Sequence, residues 1–353
     1  MNQAEVDPAL WSDALLRLCL VAPDAVPDAP LRASAAMLGA NLSARDGQPV
    51  PNPAILSRNL RAVGLMLPVA AHRRLEALAM REEKRSAIAA EQCAGLERLF
   101  GEHGIGLQSV RGWHFARTFY PDPLVRHCHA LRWLASYPSQ AQAMATLLAS
   151  AGWNASPASP VLSPHKQIFT GTGRITAELH VRPFGWSPLG LDAGDEGDPA
   201  FVAAELIGAT VTDHSAASLR SAIDLVHLLR RAEPDPRRFA HHADRFGFAG
   251  HAAQAVAHVA RLAHAEEEPL RSRLAALRGA LERVGARDSA AVRDIRLLRR
   301  MGADRRSAFL LRSCIRPDLF GAGRKLRAEN HVQRVGGTVA RASLLQLLRG
   351  RAR

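Results

Sequence analysis

The sequence predicts an α+β protein: a small mixed β-sheet flanked by N-terminal and C-terminal helical regions. Two observations carry that reading. Long stretches on either side of the middle repeat apolar residues at helical spacing, whereas residues 104–182 break into short apolar runs separated by glycine and proline. Hydrophobic residues make up 47% of the 353, enough for a sizeable core.

The elements follow in order. Asp7-Pro8 suits a helix start, with Trp11, Leu15, Leu16, Leu18 and Leu20 at near-helical spacing. Proline-rich turns, Pro23 to Pro30 and Pro49 to Pro53, separate the first helices, and Leu60 to Leu67 suits a short buried one. A long amphipathic helix runs from Pro68 to Phe100. Leu75, Leu78, Ile88, Cys93, Leu96 and Leu99 form its apolar side, and Arg81-Glu82-Glu83-Lys84-Arg85 reads as a solvated face.

The middle opens with a strand ending at Arg111-Gly112. A short amphipathic segment, the turn Tyr120-Pro121-Asp122-Pro123, and Arg126 follow. Next come the run Ala130 to Leu134, a helix from Ser139 to Ala151, and two strands, 165–169 and 174–182, joined as a hairpin through Thr170-Gly171-Thr172-Gly173. Residues 185–200 read as a loop. Helices resume from Ser215, with Leu219, Ile223, Val226 and Leu229 on one face, then near 237–247, 249–264 and 269–285. No internal repeat is present. The chain divides into 1–100, 101–185, 186–290 and 291–353.

The last segment holds the charge. From Arg293 there are sixteen basic and four acidic residues, so it carries +12 of the chain's +13. It could bind nucleic acid or an acidic protein, although only Phe309 and Phe320 are available to stack on bases. An arginine-rich solvated face reads equally well. The four cysteines form no CxxC pair, which fits a reducing cytoplasm. The expectation is a cytoplasmic protein without signal peptide, membrane span or membrane partner. No Walker A loop and no G-x-S-x-G occurs. His127-Cys128-His129, with His180, invites a zinc reading, though a zinc site needs three or four ligands.

The order strand, glycine, short helix, Tyr-Pro-Asp-Pro, arginine, strand, helix, hairpin resembles the bacterial nucleotidyltransferases of the DNA polymerase β-like superfamily. The similar branch is a largely uncharacterised one with flanking helical regions. Its Lys-Gly is Arg111-Gly112 here. Its turn and arginine match Tyr120 to Pro123 and Arg126, its hairpin end matches Glu178-Leu179-His180, and its Arg-Phe-Gly matches Arg245-Phe246-Gly247. The resemblance covers most of residues 10–265. It implies a nucleotidyltransferase core at 101–185, Glu178 as the catalytic carboxylate, and Arg111, Gly112 and Arg126 as nucleotide-binding residues, with Mg²⁺ as cofactor if the protein is active.

The departure from that pattern is large. Two-metal chemistry needs two carboxylates two residues apart on one strand and a third on a neighbour. The paired positions here are Ala130 and Arg132, neither of which can ligate a metal. Trp113, where relatives carry a small residue, is expected to crowd the phosphate position. Arg126 could hold a phosphate or pair with Asp122. The implied function is a pseudoenzyme or accessory protein with a degraded two-metal site and no assigned metal ligand, which could bind a nucleotide. One alternative is an active transferase moving a nucleotidyl group from an NTP to a small molecule or peptide, with Glu178, Asp122, His127 and His129 as replacement ligands. The other is a basic adaptor working through the C-terminal segment.

Overall fold

The computed structural model describes residues 8–44, 49–106, 108–128, 130–156, 166–171, 175–184, 195, 197–211, 215–263, 267–285, 287–289 and 292. The basic segment from Arg293 lies outside them, as does His129.

The described chain is α+β. Helices α1 (Pro8–Leu20), α2 (Ala29–Ser43), α3 (Pro53–Ala62) and α4 (Val69–Glu102) precede the sheet region. Asp28 caps α2 by accepting from the Leu31 amide, and proline opens α1 and α3. The sheet region runs β1 (Gln108–Arg111), α5 (Trp113–Phe119), a 3₁₀ turn (Pro123–Val125), β2 (Ala130–Leu134), α6 (Pro138–Ser150), β3 (Asn154–Ala155), β4 (Lys166–Thr170) and β5 (Thr176–His180). Then follow α7 (Pro199–Thr210), α8 (Ser215–Arg231), α9 (Pro236–Arg245), α10 (Ala249–Leu262) and α11 (Glu268–Arg283).

The sheet order is β1-β2-β5-β4-β3. β2 and β5 are parallel, and the other pairs are antiparallel, so the sheet is mixed. Strand alternation sorts its faces. Leu131, Trp133, Ala177, Leu179 and Phe169 turn to one side and join an apolar core with Cys93, Phe100, Met144 and Leu148 of α4 and α6. Trp133 meets Phe100 edge-on, with ring centroids 5.5 Å apart. Ala130, Arg132, Thr176, Glu178 and His180 share the opposite face.

A second, larger core unites the two helical regions. Leu15, Leu38, Leu56 and Leu75 from the N-terminal helices bury with Phe201, Leu228, Phe239 and Leu274 from the C-terminal ones. α4 is 34 residues long, about 50 Å, and its first turns serve this core while its last turns serve the sheet. Cys19, Cys93 and Cys128 are buried free thiols, and burial pushes their pKa values up. Among the described residues no helix is long and apolar enough to cross a membrane.

Tyr120, part of the larger core, stacks on His227 of α8, at 3.8 Å between centroids. Burial, reinforced by Arg230 and partly opposed by Asp224, lowers the His227 pKa to about 3. An unfolded histidine titrates near 6.5. Between those values the unfolded chain binds a proton that the folded chain refuses, so acid favours unfolding. Stability is therefore expected to fall from about pH 6.5 towards 3, at roughly 1.4 kcal/mol per pH unit from this group. His227→Phe keeps the stack and should flatten that slope in urea titrations at pH 6 and pH 4. An unchanged slope would assign the acid sensitivity elsewhere.

Candidate functional site

Gly112 sits where β1 turns into α5, with φ 77° and ψ −134°. A Cβ there would lie 2.5 Å from the Ala130 carbonyl oxygen of the neighbouring strand. Only glycine combines that dihedral with that approach. Arg111 is the last residue of β1, opposite Arg132 in register.

Arg126 follows the 3₁₀ turn and is 5% exposed. Its Nε and Nη2 donate to the two carboxylate oxygens of Asp224 at 2.8 and 2.7 Å, a bidentate pair. Its Nη1 donates to the Gly112 carbonyl at 3.0 Å. The Tyr120 hydroxyl donates to the same Asp224 carboxylate at 2.7 Å, and the guanidinium lies 5.5 Å from the Phe115 ring centre. Burial lowers the Arg126 pKa, but Asp224 more than offsets this and keeps the group charged. The carboxylate that pairs with Arg126 is thus Asp224, 98 residues away, rather than Asp122. Asp122 caps the 3₁₀ turn, accepting from the Leu124 amide at 3.0 Å, and faces Arg58 at 3.4 Å.

Glu178 stands beside Arg132 in the parallel β2–β5 register. Its Oε2 accepts from Arg132 Nε, Lys166 Nζ and His180 Nε2, each at 3.1 Å. Lys166 comes from the next strand, β4, opposite His180. Burial raises the carboxyl pKa, yet Arg132, then His180 and Lys166, outweigh it and hold Glu178 well below the usual carboxylate range. The contribution of this cluster is present above an unfolded pKa near 4.3 and is lost as pH falls through the lower folded value.

A two-metal centre does not fit these residues. The Ala130 side chain offers no ligand, and a divalent cation at Glu178 would face Arg132 and Lys166, both 3.1 Å from its Oε2. Among the described residues no group of three or more His, Cys, Asp or Glu is placed to hold a metal ion. His127 Nδ1 bonds Glu82 Oε1 at 2.6 Å, while His180 lies at the far end of the strand pair, in register with Leu134. Cys128 is buried, and its thiol faces the Ala130 carbonyl at 3.8 Å.

The expected crowding by Trp113 is corrected. The first residue of α5 turns into the sheet-side core, and its indole is buried there. Of the sequence-predicted residues, Arg126 and Gly112 touch directly, and Glu178 belongs to a separate polar cluster with Arg132. Asp224 escaped the sequence reading. Its one signal is a carboxylate set among Ile223, Leu225 and Val226 on a buried helix face. At Arg245-Phe246, Arg245 pairs with Asp195 at 3.1 Å, and Phe246 meets Phe184 edge-on.

Comparison with known proteins returns no match among family models, curated proteins or solved structures.

Proposed function

We propose that the protein is a nucleotidyltransferase-like pseudoenzyme or accessory protein whose degraded two-metal site is closed by its own cations and which binds a nucleotide without a divalent metal. The observation that carries this reading is the Arg132–Glu178 pair at 3.1 Å in the β2–β5 register. At the position where the resemblance calls for a metal-binding aspartate, the chain supplies a guanidinium. Lys166 and His180 complete the neutralisation of the one remaining carboxylate. The strand, the Gly112 turn and the short helix agree with the resemblance, which puts the nucleotide at that turn.

The active-transferase alternative is less well supported. Its replacement ligands Asp122 and His127 are engaged with Arg58 and Glu82. The adaptor alternative rests on the charge of the C-terminal segment alone. The test is pyrophosphate release from each NTP with Mg²⁺ or Mn²⁺. The expected result is no release above the blank, for the native chain and for Glu178→Ala alike. Metal-dependent release that disappears in Glu178→Ala would overturn the proposal.

A further inference from the structure

We propose that the cleft between the start of α3, the middle of α4 and α8 is a binding site for a phosphate-class oxyanion, carried either as free phosphate or as a phosphate monoester. The cleft has a volume of about 220 Å³, and Asn52, Arg81, Glu82, Arg85, His127 and Arg220 line it.

Two of these residues carry orphaned buried donors. Asn52 is 3% exposed, and its Nδ2 has no hydrogen-bond partner. It is also the one non-glycine residue with positive φ among the described residues, at φ 52° and ψ 49°. Asparagine adopts that conformation more readily than other non-glycine residues, and its buried amide donor is left without an acceptor. Arg220 Nε is likewise buried without a partner. Burial lowers the Arg220 pKa, and the nearby Arg126 and Arg132 lower it further, against the weaker pull of Asp224 and Glu82.

The charge around the cleft agrees. Three arginines face one carboxylate, and that carboxylate is committed: Glu82 accepts from the Ala54 amide at 3.0 Å and from His127 at 2.6 Å. Arg81 and Arg85 are exposed, stand one turn apart on α4, and make no ion pair among the described residues. Guanidinium forks match the oxygens of phosphate, and three of them favour a dianion over a single carboxylate. The volume is below that of a typical whole-ligand pocket, ~300–1,000 Å³, which suits an anionic headgroup. The inference does not depend on the nucleotidyltransferase reading.

The test is calorimetry on the full chain with inorganic phosphate and with AMP, at ionic strength fixed with KCl. Saturable binding is expected, weakened about tenfold or more in Arg81→Ala/Arg85→Ala and in Asn52→Gly. The arginines are exposed and glycine accepts the left-handed backbone, so both variants should fold. Tighter AMP would identify a monoester site, and phosphate at least as tight would identify a free-anion site. Arg220→Met should lose binding yet melt no lower than the native chain, because it removes a buried donor without a partner. Absence of saturable heat, or affinity unchanged in the double variant and in Asn52→Gly, would overturn the proposal and leave diffuse attraction to a basic protein.

Discussion

Asp224→Ala is expected to destabilise the protein by about 3–5 kcal/mol, because removing one partner of a buried ion pair leaves the other charge uncompensated. Arg126 and Asp224 are 5% and 2% exposed, so solvent cannot take over the abandoned guanidinium. The same substitution strips the Tyr120 hydroxyl of its acceptor. The loss is a large part of a typical folding stability of roughly 5–15 kcal/mol. It should appear as a lower urea midpoint. Arg126→Met/Asp224→Leu should lose less than Asp224→Ala, since it buries no charge at all. A double variant as unstable as the single one would mean that the carboxylate acts mainly through Tyr120.

Gly112→Ala is expected to cost about 3 kcal/mol or more. A left-handed, extended conformation of this kind costs a residue with a Cβ roughly 1–3 kcal/mol. The Cβ would also meet the Ala130 carbonyl oxygen at 2.5 Å, and that oxygen belongs to the neighbouring strand rather than to a mobile side chain. Either β1 or β2 must shift. Because Arg126 donates to the Gly112 carbonyl, the shift reaches the ion pair as well. Gly112→Ala and Asp224→Ala should therefore combine non-additively. Simple addition of the two losses in urea titrations would show that the glycine and the ion pair act independently.

Much of the architecture was legible because it is written locally. The stripe on α4, Leu75 to Leu99, and the stripe on α8, Leu219 to Leu229, follow the helical period, since each helix hides one face and exposes the other. The hairpin of β4 and β5 was legible from its glycine-containing loop. By contrast, α7 carries no periodic signal in the sequence. Ten of its twelve residues are buried, so no polar face marks a period.

The site was legible only in part. Gly112 stood out as a glycine before a helix, and Arg132 as a cation where a carboxylate was expected. The partner of Arg126 was not legible, because the competing Asp122 lies four residues away and Asp224 lies 98 away. The cleft at Asn52 joins four segments distant in sequence, and its only local sign is the Asn-Pro step that opens α3.

With Glu178 neutralised by the protein's own cations, nucleotide binding should need no divalent metal. Calorimetric titration of the full chain with each NTP, with and without Mg²⁺, tests it most directly. Binding to at least one nucleotide with the same affinity in both conditions is expected. Binding that appears only with Mg²⁺ would contradict it, as would no binding to any nucleotide.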